Sequence, residues 1–247
     1  MSNRTNHLVK AAVLGLSGLM FYAKISDGTL NFYISQRFAW LSFVAVLLFF
    51  VLALTMVYRL LERRSTAETG MPATHGGNMS ALSLAILAIP ALLGLLVPAR
   101  PLGASAISSK GIGLTAPTGP QSVTQVRRPN TGTRNILDWL REFQREADPV
   151  AAFKGQSVDV IGFVYRDARS GENQFWVSRF AVSCCVADAA ALGLLVQTDQ
   201  TKTLKTDVWV RVTGKIGASQ FAGETLPAIL PEKIEPVDQP KQPYLYP

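Results

Sequence analysis

The pattern of apolar and polar positions changes character three times along the chain. Residues 38–58, FAWLSFVAVLLFFVLALTMVY, and residues 79–99, MSALSLAILAIPALLGLLVPA, each run 21 positions without a charge. As helices rising 1.5 Å per residue they would each extend roughly 31 Å, about the thickness of a bilayer's hydrocarbon core. Both are therefore expected to span a membrane; the competing reading is a pair of core helices in a soluble protein. Residues 8–25 make a weaker candidate, because the uncharged stretch between Lys10 and Lys24 covers only 13 residues. Lysines at the ends can snorkel toward the headgroups and lengthen such a span. A cleaved signal peptide is the other reading, but the YAKIS stretch lacks a small-x-small cleavage site. The expectation is a membrane domain over residues 1–99 with two to three transmembrane helices.

After residue 99 the pattern dissolves. Residues 100–132 are rich in Gly, Pro, Ser and Thr without hydrophobic periodicity, which predicts a flexible linker. Helical spacing returns over residues 133–148, where Ile136, Leu137, Leu140 and Phe143 share one face and Arg141, Glu142, Arg145 and Glu146 the other. Thr133 is the expected N-cap and Pro149 lies just past the end. Such an amphipathic helix packs on its own domain, on a partner or on the bilayer surface.

From residue 155 the period shortens to two. The stretches 157–165, 174–182, 192–198, 207–216 and 225–237 are short, rich in Val, Ile, Phe and Trp, and bounded by Gly, Asp or Thr. Five short strands predict a small OB-like β-barrel over residues 155–238, followed by a tail at 239–247. A β-sandwich is the alternative, for which five strands are few. The segment VADAAALG between the second and third strands is expected to hold about one helical turn. The fold class is thus membrane α plus all-β.

Charge changes the picture only after it is divided. The chain of 247 residues carries a formal net charge of +7, which taken whole points to nucleic acid. Residues 1–154 hold 15 Lys and Arg against 7 Asp and Glu, whereas residues 155–247 hold 9 against 10. The basic excess therefore flanks the membrane segments, as headgroup contact requires, and the β-rich region has no basic groove. Phe163, Tyr165, Phe175, Trp176 and Trp209 would form a base-stacking platform only with such a groove, so no nucleic-acid partner is expected. With three spans and a cytoplasmic amino terminus, Arg4, Lys10, Arg59, Arg63 and Arg64 lie inside against Lys24, Arg37, Arg100 and Lys110 outside. The cluster at Arg59, Arg63 and Arg64 sets the orientation by the positive-inside rule and places the β-domain outside the cytoplasm.

Chemistry-bearing residues are sparse. The only two cysteines, Cys184 and Cys185, are adjacent, with Asp188 three positions further on. Adjacent Cα atoms lie about 3.8 Å apart, below the 4.4–6.8 Å of an unstrained disulfide, so a bond between them would be strained and easily reduced. Three readings stand: a thiol redox pair, a metal site of Cys184, Cys185 and Asp188 completed by a partner, or packing with one thiol inward and its neighbour at the surface. His75 lies in a short loop and is expected to be solvated. No phosphate loop or catalytic triad is present, and Asp159, Asp167, Asp188 and Asp207 sit in separate segments, so no enzymatic activity is expected.

The stretches GFVYRD, FWVSRFAVSCCVADAAALGLLV and DVWVRVTGKI and the terminal PYLY resemble the YcgQ-like family of two-component permease subunits. Arg179, Phe180, Cys184, Cys185, Ala187, Asp188 and Ala189 carry that resemblance. Where a proline often precedes Gly-Leu in the family, this chain has Ala191 and Leu192 before Gly193, which affects the turn geometry. The resemblance implies a multi-pass protein of the plasma membrane that pairs with a larger polytopic permease subunit and leaves both substrate and cofactor undefined. Taken together, an accessory subunit is expected, with an extracytoplasmic β-domain that caps, gates or presents ligand to the permease. Cys184, Cys185, Asp188 and Arg179 are then the candidate contact or metal-sharing residues. The alternative is a membrane-anchored thiol redox or metal-relay protein using the cysteine pair.

Overall fold

The computed structural model describes residues 3–65, 80–112 and 134–247. They form two compact units, Met1–Arg100 and Pro101–Pro247. The first holds three helices, α1 (Asn3–Ser26), α2 (Ala39–Ser65) and α3 (Ala81–Leu96). Thr5–Ser26 and Gln36–Tyr58 are long and apolar enough to cross a membrane. Trp40, Phe43, Leu47 and Leu54 stand exposed on α2, as side chains in contact with lipid would. Helix α1 packs on both α2 and α3, and Phe21 stacks on Phe49 at 5.9 Å.

Residues 79–99, expected to span, hold a helix shorter than the uncharged stretch. Helix α3 has 16 residues, about 24 Å at the helical rise, and falls short of a hydrocarbon core. The reason is local. Ser80 caps the start by accepting from the Ser83 N–H at 3.1 Å, and Val97, preceding Pro98, is extended, as residues before proline are. The stretch is uncharged throughout, but its helix ends where the prolines dictate.

In the second unit five strands carry the fold: β1 (Ser157–Tyr165), β2 (Gln174–Ala181), β3 (Ala190–Gln197), β4 (Trp209–Phe221) and β5 (Glu224–Pro236). Their pairings close a ring in the order β1-β2-β3-β5-β4. All are antiparallel except β3 with β5, where Leu195 and Val196 face Ala228 and Ile229 in parallel. Alternation puts Val158, Val160 and Val164 of β1, Phe175 and Val177 of β2, and Val210, Val212 and Ile216 of β4 into one buried core. Strands β4 and β5 form a hairpin turned by Ala222 and Gly223, both with positive φ, as a two-residue turn between twisted strands requires.

The helix expected over residues 133–148 is shorter and is followed by a second one. Helix α5 (Ile136–Phe143) is capped by Asn135, whose Oδ1 accepts from the N–H groups of Leu137 and Asp138, while Asp138 accepts from the Asn135 N–H. Thr133 lies outside the described residues, as do His75 and most of the expected linker. Asp148 caps a further helix, α6 (Pro149–Phe153), so Pro149 opens a helix where the spacing predicted only a stop. Ile136, Leu137, Trp139 and Leu140 are buried in the core of the ring, so the amphipathic face packs on its own domain.

Two segments outside the expected barrel complete it. Within the region read as linker, α4 (Ala104–Lys110) buries Ile107 fully, beside Phe163 and Phe180. Its first N–H, from Ala104, donates to Asp207 Oδ1 at 2.5 Å, and a Cβ on Gly103 would lie 2.6 Å from that same oxygen, so a side chain there would push the carboxylate aside. The tail adds a strand-like bridge: Leu245 N–H donates to the Phe180 carbonyl at 2.8 Å, and Val182 N–H to the Leu245 carbonyl at 2.9 Å.

The tightest backbone approach in the ring lies at Gly214, where the register between β4 and β5 shifts. A Cβ there would sit 2.2 Å from the Leu230 carbonyl oxygen and 2.7 Å from Pro231 Cα, neither of which is a movable side-chain end. Gly214→Ala is therefore expected to destabilise the β-domain by about 1–3 kcal/mol, read as a lower thermal midpoint of the detergent-solubilised chain by near-UV circular dichroism. An unchanged midpoint would show that the β4–β5 register is not held by this contact.

Candidate functional site

The β2–β3 pairing runs in unbroken register from Gln174↔Gln197 to Ala181↔Ala190. The chain between the last pair must therefore reverse within a short loop that projects beyond the ring edge, and this loop carries both cysteines. A single carboxylate closes it. Asp188 accepts from the Ser183 N–H at 3.0 Å through Oδ1 and from the Cys184 N–H at 2.7 Å through Oδ2. In return the Asp188 N–H donates to the Cys185 carbonyl at 3.0 Å, making one 3-10 turn over Val186–Asp188. Desolvation works against ionisation of Asp188. Hydrogen bonds from the Cys184 thiol and from the N–H groups of Cys184, Ser183 and Cys185 outweigh it and hold the carboxyl below its ordinary range.

Both cysteines are free thiols, Cys184 exposed and Cys185 half-buried, with their Sγ atoms 3.9 Å apart. A hydrogen bond to Asp188, seconded by one to Cys185, pushes the Cys184 thiol up to about 11. A reactive cysteine has the opposite environment, near a cation or a helix N-terminus that favours thiolate. The loop therefore presents a protonated Cys184 thiol beside Cys185 on a braced turn.

Arg179 belongs to a different cluster. It donates from Nε to the Pro243 carbonyl at 3.1 Å and from Nη2 to the Gln242 carbonyl at 2.5 Å, and its guanidinium lies 5.7 Å from the Trp209 ring centroid. Burial lowers its pKa to about 10, with Tyr246 pulling the other way, so it stays charged at neutral pH. Its hydrogen bonds fasten the tail to β2. Nothing in the residue pattern distinguished this tail clamp from a ligand contact, because the acceptors are backbone carbonyls over 60 positions away in sequence.

The remaining acids have structural partners as well. Asp159 is paired with Arg211, Asp167 with Arg169, and Asp207 with α4. Among the described residues no group of three or more His, Cys, Asp or Glu side chains is placed to hold a metal ion. Phe163, Phe175 and Trp176 are buried and form no exposed stacking platform. A cleft of about 170 Å³ opens between α5 and strands β3 and β5, lined by Leu140, Phe143, Trp176, Leu195 and Pro227 among others, with no titratable side chain in its wall.

Residues 120–247 match the DUF1980 C-terminal domain, and residues 10–113 match the DUF1980 N-terminal domain. The chain belongs to the DUF1980 family. Among its relatives is a Streptococcus mutans serotype c protein named "Putative two-component membrane permease complex subunit", 27% identical over 270 residues that cover 94% of this chain and 96% of that protein. UPF0703 protein YcgQ of Bacillus subtilis is 22% identical over 271 residues, covering 92% and 94% respectively. The resemblance carried by the Arg-Phe and Cys-Cys-x-Ala-Asp-Ala residues is thus matched over nearly the whole length of the family's members, helices and β-domain together.

If the Asp188 carboxylate is what holds the Cys184 proton, Asp188→Asn will let the thiol ionise more readily. Alkylation runs through the thiolate, so the rate at neutral pH is expected to rise by about threefold, and by at most about tenfold, for each unit by which the pKa falls. Timed maleimide labelling of Cys185→Ser with and without Asp188→Asn measures this, and equal rates would refute the assignment.

Proposed function

We propose that this chain is the accessory subunit of a two-component membrane permease complex, with an OB-like β-domain outside the cytoplasm that contacts a larger polytopic permease subunit. The observation that carries the reading is the end-to-end similarity to a relative bearing that name. Two span-length helices and a separate folded β-unit support a multi-pass membrane anchor with a domain presented beside it. Five strands in a closed ring, with β5 inserted between β3 and β4, support the OB-like reading of the domain.

Acting on a permease rather than on a covalent substrate also suits the chemistry available. The acids are engaged in structural bonds, the cleft wall has no titratable side chain, and the more exposed thiol is held protonated. We therefore read the domain as non-enzymatic, capping or gating the permease mouth or presenting ligand to it through the β2–β3 loop. The thiol redox alternative loses its main support, since Cys184 has the environment of a poor nucleophile.

Two measurements test this. Purification of the full chain in mild detergent is expected to bring down a larger polytopic membrane protein at fixed stoichiometry, and its consistent absence under crosslinking would overturn the permease reading. For orientation, a membrane-impermeant maleimide applied to intact cells at mildly alkaline pH should label the cysteine pair. Labelling only after permeabilisation would place the domain in the cytoplasm.

A further inference from the structure

We propose that Cys184 and Cys185 form a two-thiolate landing site for a thiophilic d10 cation of the zinc and copper(I) class, held there in transit rather than as a structural part of the fold. The first argument is distance. Two thiolates bound at about 2.3 Å to one tetrahedral ion lie about 3.8 Å apart. The two sulfur atoms here stand 3.9 Å apart, joined by a thiol–thiol hydrogen bond. Adjacent side chains usually diverge. In this loop they converge because one carboxylate braces the turn at Ser183 and Cys184.

The second argument is ligand count. Asp188 accepts from the Ser183 and Cys184 N–H groups and so positions the loop, and the two sulfur atoms are the ligands the site is built on. That agrees with the absence, among the described residues, of a cluster of three ligating side chains. A structural zinc site closes all four positions, whereas a pair of thiolates leaves positions open for exchange with water or with ligands on another protein. Sulfur donors also set the ion class. Magnesium and calcium take oxygen ligands, and soft thiolates select zinc and copper(I). The exposure of Cys184 lets the ion arrive from solvent. Binding exchanges two S–H bonds for two S–metal bonds and releases two protons, with no change of oxidation state. This inference deepens the permease reading, naming the ligand class that the β-domain would hand to its partner, and rests on that reading only for the fate of the ion.

The test uses the full chain in detergent under a thiol-free reductant, titrated with Cd(II) as a spectroscopic stand-in for Zn(II). A thiolate-to-cadmium absorption band is expected to saturate at one ion per chain. It should reverse on adding Zn(II), be absent in Cys184→Ser and in Cys185→Ser, and ignore Mg(II). Protection of both thiols from maleimide by Zn(II) in the unaltered chain gives a second readout that requires no variant. Neither band nor protection, or a band that survives both serine substitutions, overturns the proposal. Co-purification of the permease partner is scored separately. Cadmium binding without a partner would leave the site standing and remove the permease reading, and a partner without cadmium binding would do the reverse.

Discussion

The β-domain depends on one short parallel contact. Strands β3, β2, β1, β4 and β5 pair side by side as one antiparallel sheet, and Leu195 and Val196 against Ala228 and Ile229 close it into a ring. Without that contact the sheet would have two open edges, each a row of unpaired N–H and carbonyl groups. With it, every inward residue of β1, β2, β3 and β4 faces another across a closed interior, which α5 plugs with Ile136, Leu137 and Leu140. The length of β4 and β5 follows from the same constraint. A strand that pairs with β1 at one end and reaches β3 through its hairpin partner at the other must be long and bent, and the register shift at Thr213/Gly214 accommodates the bend.

Closure also explains where chemistry can reside. The strands leave little polar surface inward, so the polar groups of interest collect at connections. Asp188, Asp207 and Arg179 each spend their hydrogen bonds on backbone groups of a connecting segment: the β2–β3 loop, the start of α4 and the tail. In each case a charged side chain replaces the partners that a strand ladder would have supplied, and such charge-assisted bonds are stronger than neutral ones. The cost is desolvation, visible in the lowered pKa of Arg179. The cysteine loop differs from the other two segments in carrying two free thiols side by side.

The sequence made the strands legible because their signal is local. Burial on one face forces alternation, and the five stretches read from it meet the observed strands within a few residues, β1 at both ends. The amphipathic face of α5 was legible for the same reason, although its cap was displaced from Thr133 to Asn135 and its length halved. What stayed hidden is non-local. Residues 101–112 look like linker because their small residues lack periodicity, yet Ile107 and Ala104 find a place on Phe163 and Phe180 that only the closed ring creates. Residues 239–247 were read only as a tail for the same reason, while Tyr244 and Leu245 are buried against β2. Of the candidate residues, Cys184, Cys185 and Asp188 lie together on one tight turn. Arg179 was grouped with them through the motif that carries the family resemblance, but its bonds run to the tail.

That grouping bears on how the loop would act. A site finished within one chain gains nothing from being left open, and burial of the sulfur atoms would protect them from oxidation. Here the more accessible thiol faces solvent and only two sulfur atoms converge. Such a pair holds an ion less firmly than a closed four-ligand site. The same openness favours passing an ion on, because a two-ligand site releases its cargo as soon as a partner offers better coordination.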